Sequence, residues 1–397
     1  MSIKSDLTAL KVNIQAAKDK LYTNLTEKGV TDITTASTLD AMADSVSGIL
    51  TSGGGGNPFE AIGYEATPKY MQDAIDYSQT IYDEWDASEQ LKLNRYANNT
   101  ELIFFPLVDA SNVTDMNHML SGCTNLQYVP PLNTSAVTNM MGMFSMCTNL
   151  TSLDLTEWDF SNLKYTAYMF YYCTKLTSIK FGAKTNISKI TSCYKIFEGC
   201  SGLTSLDLSN WDTSNVTSMS YMFTDCRSLS SLNLSSFNTS KVTEMEQMFA
   251  NCYELTSLDL SSFDTSNVTN FSIMLGCPKL EQVIGVISLK SYSSSSMASN
   301  YLFGYGTKKQ LRKITFKDIG YKSSAKQFNT SLVESWGVNN DTITDARQSL
   351  IDSLITYSFD RASKGYSTCT VTLHANTKAV LTEDEIAQIT AKGFTIA

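Results

Sequence analysis

Residues 214–239 read SNVTSMSYMFTDCRSLSSLNLSSFNT, and residues 240–265 read SKVTEMEQMFANCYELTSLDLSSFDT. Laid side by side without a gap, they put Val216 on Val242, Met219 on Met245, Met222-Phe223 on Met248-Phe249, Cys226 on Cys252 and Leu229 on Leu255. Outward in both directions the cysteine returns as Cys123, Cys147, Cys173, Cys200, Cys226, Cys252 and Cys277, in steps of 24 to 27 residues. A period of this length marks a solenoid, in which each unit stacks on the next and none can bury its apolar face alone.

Within each unit the pattern changes phase. L-x-x-L-x-L runs (Leu150/Leu153/Leu155, Leu203/Leu206/Leu208, Leu229/Leu232/Leu234, Leu255/Leu258/Leu260) read as short strands that pair in parallel between coils, spaced about 4.8 Å. A bulky ring follows (Trp158, Trp211, Phe237, Phe263), then a polar turn such as Asp212-Thr213-Ser214-Asn215. The return segment places Val216, Met219, Met222, Phe223 and Cys226 at helical spacing, which predicts a helix-like face under the strands.

The flanks read differently. Residues 1–50 carry two amphipathic stripes: Leu7, Leu10, Ile14, Ala17 and Leu21, then Leu39, Met42, Val46 and Ile49. They predict a helical segment that attaches or oligomerises the chain as a dimer or trimer, because such short stripes need a partner; the alternative is a helical hairpin folded onto the solenoid's end. Residues 51–57 are a Gly-rich linker, 58–110 an N-terminal cap, 111–286 the repeats, and 287–397 a degenerate repeat with a C-terminal cap. In that cap a helix is expected over 346–356, a strand over 368–373, a helix over 382–391 opened by a Thr382–Glu385 capping box, and a strand over 394–396.

Composition narrows the function classes. The net charge of −9 argues against nucleic acid as a partner. No run of apolar residues is long enough to span a membrane, and the opening MSIKSDLTALKVNIQ has no signal-peptide core. Seven of the nine cysteines share one register beside Met and Phe, which predicts buried free thiols rather than a disulfide ladder. The two histidines, His118 and His374, lie too far apart in the chain to suggest a triad or a multi-His metal site. His118 occupies a register filled elsewhere by Gly142, Tyr168, Lys195, Tyr221, Gln247 and Ile273, a variety that predicts an exposed position. Asp154, Asp207 and Asp259 form a column interrupted by Lys180 and Asn233, read as a solvated face rather than a cation site. No catalytic motif appears, and no cofactor or metal is expected.

The motif S-N-V-T-x-M-x-x-M-F-x-x-C-x-x-L-x-x-L-D-L-S-x-F/W-D-T resembles the BspA-like leucine-rich repeats, also described as the bacterial surface protein 26-residue repeat. Residues 135–160, 214–239 and 240–265 match it nearly completely, and 111–134, 161–186, 187–213 and 266–286 in part. The resemblance implies a leucine-rich-repeat solenoid of the α+β class, with a parallel strand per coil, and carries no catalytic residues. The opening (7–30 and 38–49) is similar to N-terminal segments of tailed-phage tail and fibre proteins. The ending, from Val371 to Ala397, is similar to terminal caps of repeat proteins from like sources. These resemblances imply a non-enzymatic virion protein, made in the bacterial cytoplasm, attached to other virion proteins by its N-terminal helices and adhering to a bacterial surface ligand. A purely structural virion component and a bacterial surface adhesin are the alternatives.

In an array with a repeated framework, specificity resides in what varies. Tyr168, Tyr171, Tyr172, Tyr194, Tyr221 and Tyr253 dot the surface beside the return segments and are the candidate contact residues for a glycan or a protein. The alternative is that these rings only cover neighbouring coils.

Overall fold

The computed structural model describes residues 96–105, 110–291, 296–297, 302–303, 310–319, 321, 327–329, 336–338 and 343–397. The expected helices of residues 1–50, the Gly-rich linker and most of the N-terminal cap lie outside the described residues. In the repeats the strands are short: β1 (Ser152–Leu155), β2 (Ser178–Phe181), β3 (Ser205–Asp207), β4 (Ser231–Asn233) and β5 (Ser257–Asp259). They lead into a longer β6 (Gln282–Ser288), then β7 (Ser296–Met297), β8 (Lys313–Lys317) and β9 (Gln327–Asn329). Pairing is parallel and in step with the repeat: Leu153 faces Ile179, Leu206 faces Leu232, and Leu258 faces Val283. The hydrogen-bonded sets are β1–β2, β3–β4 and β5–β6–β8. β8 joins β6 in parallel with a register shift.

The return segment is not a helix. It is a ribbon of turns in which backbone N–H groups point alternately out of and into their own coil. Met219, Tyr221, Phe223 and Asp225 donate to Glu244, Glu246, Met248 and Ala250 of the next coil at 2.8–2.9 Å. Between them, Met222, Thr224 and Cys226 donate back to Met219, Tyr221 and Phe223 at 3.2–3.3 Å. Two residues per coil adopt positive φ to allow this, Tyr221 at 60° and Asp225 at 57°, matched by Tyr168 and Tyr172, Lys195 and Gly199, and Gln247 and Asn251. A left-handed residue ends any right-handed helix. The three-and-four spacing of apolar residues is therefore satisfied by turns whose polar groups serve the neighbouring coil.

The cysteines have a bonding role as well as a packing one. Each repeat thiol donates to a carbonyl of the preceding coil: Cys173 to Phe144, Cys200 to Phe170, Cys226 to Phe197, Cys252 to Phe223 and Cys277 to Phe249, at 3.0–3.2 Å. The Phe223 carbonyl also receives the Cys226 N–H at 3.2 Å, so both of its lone pairs are used. All nine cysteines are free and buried, the seven of the repeat register as that register predicted. Burial pushes the Cys173 and Cys193 thiols up to about 12, and those of Cys147, Cys200 and Cys252 well above the ordinary thiol range. An aromatic thiol-exchange reagent at pH 8 should therefore label less than one thiol per native chain and all nine after denaturation. Labelling of several native thiols would contradict this packing.

The same burial sets the alkaline limit. A folded thiol keeps its proton at pH values where an unfolded one, with a pKa of about 8.5, has lost it. Stability is then complete below about pH 8.5 and falls as pH rises towards the folded value of about 12. Urea midpoints measured at neutral pH and across this window should decline steadily, and a flat profile would contradict the reading.

At the polar turn, Asp207, Asp212, Asp259 and Asp264 each accept the N–H two residues on at 2.9 Å. The strand-face column of Asp154, Asp207 and Asp259 is exposed, as expected, but it also closes turns. Among the described residues no group of three or more acidic, Cys or His side chains could hold a metal ion.

The C-terminal cap follows the sequence closely. Helix α1 (Ala346–Ile351) continues as a π turn through Thr356. Strand β10 (Cys369–Thr372) precedes a short α2 (Ala375–Lys378), which the sequence reading missed. Helix α3 (Glu383–Ala391) starts with the expected Thr382–Glu385 capping box, and β11 (Phe394–Ile396) ends the chain in the sheet β11–β10–β9–β7. His374 caps α2, its Nδ1 accepting from the Asn376 N–H at 3.2 Å.

Candidate functional site

The side chains that vary leave the coil at the left-handed residues and their neighbours. This ribbon positions the tyrosines: Tyr168, Tyr172 and Tyr221 are themselves left-handed, at 63°, 54° and 60°. Because every coil repeats that geometry whatever residue occupies it, the conformation belongs to the framework and the side chain is left to vary. The register of His118 is exposed at that residue but half-buried at Tyr168, Lys195, Tyr221, Gln247 and Ile273, a correction to the expectation of general exposure. Rings and long chains lie over the next coil there instead of extending into water.

Five of the six candidate tyrosines come together. Tyr168 meets Tyr171 edge-on at 5.5 Å between centroids and Tyr194 at 5.4 Å. Tyr194 meets Tyr221 at 5.7 Å, and Tyr171 leans on Tyr172 at 4.6 Å. The Tyr172 ring lies over Gly199, where a Cβ would come within 2.7 Å of it. Tyr253 stands apart from this cluster, 37% exposed, with the Arg227 guanidinium 5.7 Å from its ring.

The centre of the cluster is a residue that sequence reasoning passed over. The Lys195 ammonium sits 4.7 Å from the Tyr221 ring centroid and 5.5, 5.8 and 6.0 Å from those of Tyr194, Tyr171 and Tyr168. It pairs with Glu198 at 3.0 Å. Burial alone would lower the Lys195 pKa, but the Glu198 hydrogen bond and charge, with the surrounding phenols, raise it. Glu198 lies deeper, and its desolvation outweighs the ammonium, so its pKa is raised too. Burial raises Tyr171 and Tyr194, and burial with a hydrogen bond to Glu246 takes Tyr221 up to about 12. All three phenols therefore stay neutral at physiological pH. Beside the cluster, Asp225 binds the Arg227 guanidinium at 3.0 and 3.2 Å and the Asn251 amide at 3.4 Å. No spacing signals Lys195 or Asp225; both stand in variable registers, and only the stacking of coils brings them to the tyrosines.

The candidate attachment residues Leu7, Leu10, Ile14, Leu21, Leu39, Met42 and Val46 lie outside the described residues.

Chemically, the arrangement offers aromatic surface, neutral hydroxyls and two internally matched ion pairs. Rings and neutral hydroxyls of this kind are suited to contact.

No curated protein matches the chain. Among solved structures, the chain is similar to a leucine-rich repeat protein from Bacteroides ovatus ATCC 8483, at 12% identity and a TM-score of 0.33, over 76% of this chain and 85% of that one. It is also similar to the TLR13–ssRNA13 complex, at 15% identity and a TM-score of 0.20, over 76% of this chain and 51% of that one. At these scores neither likeness bears on the site. The family model described as Mycoplasma protein of unknown function, DUF285, matches residues 97–205 and 191–304, together just over half of the 397 residues. These are the residues that hold the cysteine ladder, the turn ribbon and the tyrosine cluster, and on that match the chain belongs to the DUF285 family.

Proposed function

We propose that the chain is a non-enzymatic recognition protein whose repeats adhere to a bacterial surface ligand through the tyrosine face of the coils that carry Tyr168, Lys195 and Tyr221. One observation carries the reading. The repeated side chains are buried as framework, whereas the variable registers of successive coils converge on a half-exposed aromatic cluster. Tyrosine suits such a surface because it offers a large contact area and a polar tip for little conformational entropy. The setting we propose is a tailed-phage virion, supported by the resemblance of the opening to tail and fibre proteins and of the ending to terminal caps of repeat proteins from like sources. Many copies on one particle would multiply weak contacts.

Tyr168→Ala and Tyr221→Ala should each reduce adhesion of the purified chain to host bacteria at least about tenfold, a loss typical of truncated interface tyrosines. The melting temperature should fall by only a few degrees, since the rings are half-exposed. Full adhesion by both variants would remove the face from the mechanism. Mass spectrometry of purified virions tests the setting: absence of the chain from particles, with detection on the bacterial surface, would leave an adhesin of the cell.

A further inference from the structure

We infer that the tyrosine face takes an extended, uncharged polysaccharide chain lying along the solenoid axis, with about one sugar ring per coil. The inference rests on the reading of this face as the contact surface and gives it a ligand class.

Spacing is the first argument. Rings of successive coils follow one another at 5.4 Å from Tyr168 to Tyr194 and 5.7 Å from Tyr194 to Tyr221. They ride on coils stacked at the strand spacing of about 4.8 Å. That step is close to the advance of one pyranose unit in an extended linear glycan, so successive sugars can meet successive coils, with Tyr168 and Tyr221 in one register and Tyr194 in the register beside it. An extended peptide advances about 3.3 Å per residue and about twice that between side chains on one face. It would fall out of step within two coils.

Charge is the second argument. Lys195 is matched by Glu198 at 3.0 Å and Arg227 by Asp225 at 3.0 Å, so the face spends its cations on its own carboxylates. Glu246 adds a carboxylate that hydrogen-bonds Tyr221 and Asn270. A polyanion meets a neutral to acidic surface on a chain of net charge −9, and a polycation finds the central carboxylates already engaged. An uncharged ligand breaks neither pair.

The third argument is the mixture of groups. A sugar has C–H faces and hydroxyl edges. Aromatic rings take the former, and planar polar side chains take neighbouring hydroxyls two at a time. The Asp225 carboxylate is bonded through Oδ1 to Asn251 and to Arg227, whose guanidinium lies 5.7 Å from the Tyr253 ring, and Gln247 is bonded to the Tyr221 hydroxyl at 3.2 Å. The Asp225–Arg227–Asn251 group beside the ring cluster, and Tyr253 apart from it, thus become the continuation of one track across the coils.

The test is calorimetric titration of the full chain with linear uncharged oligosaccharides of the cello-, chito-, manno- and malto- series, from disaccharide to octaose, with oligogalacturonate as the charged control. At least one neutral series should bind, with affinity rising about tenfold or more from disaccharide to hexaose and then levelling as the face is filled. Tyr168→Ala should weaken the hexaose about tenfold, and Tyr168→Phe, which keeps the ring, should bind within a few fold of the parent. Absence of binding by every neutral series, affinity independent of length, or tighter binding of oligogalacturonate would each overturn the glycan assignment. If Tyr168→Ala loses adhesion to bacteria while no oligosaccharide binds, the ligand class falls and the face stands. If adhesion is also unchanged, the face itself falls.

Discussion

Replacing Phe223 with alanine is expected to lower the folding free energy by about 3–5 kcal/mol, as truncation of a fully buried aromatic does. Phe223 is fully buried and stacks on Phe197 and Phe249, each 5.7 Å away and within 8° of parallel. It belongs to a continuous ladder that runs Phe144, Phe170, Phe197, Phe223, Phe249 at 5.4–5.7 Å. Two ring contacts are lost at once, each adding about 0.5–1.5 kcal/mol to the area term. Repeats hold to their neighbours alone, so the damage should be graded along the axis. Hydrogen exchange should quicken most in the coils around Cys200, Cys226 and Cys252, and least in the C-terminal cap. A loss below about 1.5 kcal/mol with unchanged exchange would mean that the core closes over the hole, contrary to a ladder fixed by its backbone.

That ladder shows which part of the fold is legible in the sequence. Wherever a residue type repeats, its burial could be read directly: Val216, Met219, Met222, Phe223, Cys226 and Leu229 are all fully buried. The C-terminal cap was legible for a local reason, since Thr382 and Glu385 bond each other's backbone whatever surrounds them. The turn ribbon was not legible. Apolar residues three and four apart describe a helix and a ribbon of turns equally well, and the left-handed residues that decide between them include Tyr, Lys, Asp, Gln and Ile as well as Gly. Conformation there is imposed by hydrogen bonds to the next coil, which no single repeat contains. The cysteine was read as a small apolar filler, and its thiol bond to the preceding coil became visible only with the coils stacked.

The site divides in the same way. Tyr168, Tyr171, Tyr172, Tyr194 and Tyr221 could be chosen from composition because large rings in variable registers are conspicuous. Lys195 could not, because a lone lysine in a variable register reads as a solvated charge; its place over four rings depends on the coil below, its own coil and the coil above. Tyr253 failed to join the cluster for a related reason. It follows its cysteine, whereas the others precede theirs, and the turn at Asn251 sends it to Arg227.

The second large effect isolates one hydroxyl. The Thr265 Oγ1 donates to the Ser288 carbonyl at 3.3 Å and accepts from the Ser288 N–H at 2.7 Å. Valine has nearly the same shape and neither bond. Thr265→Val therefore leaves a buried N–H and a buried carbonyl unpaired, for an expected loss of about 2–5 kcal/mol. Thr213 makes the same two bonds to Asn238, at 3.0 and 2.8 Å, and is itself fully buried. Asn238, however, is exposed, whereas Ser288 is 7% exposed. Water can replace the hydroxyl at Asn238, so Thr213→Val should cost only about 0.5–1.5 kcal/mol. The two variants delete the same atoms from the same register, and urea denaturation of both measures the difference water makes. Equal losses would show that the hydroxyl acts through packing, and that the bonds between coils are replaceable wherever they lie. A larger loss at Thr265 would show that the array is held most tightly where β6 covers the last repeat, the place from which the C-terminal cap is built.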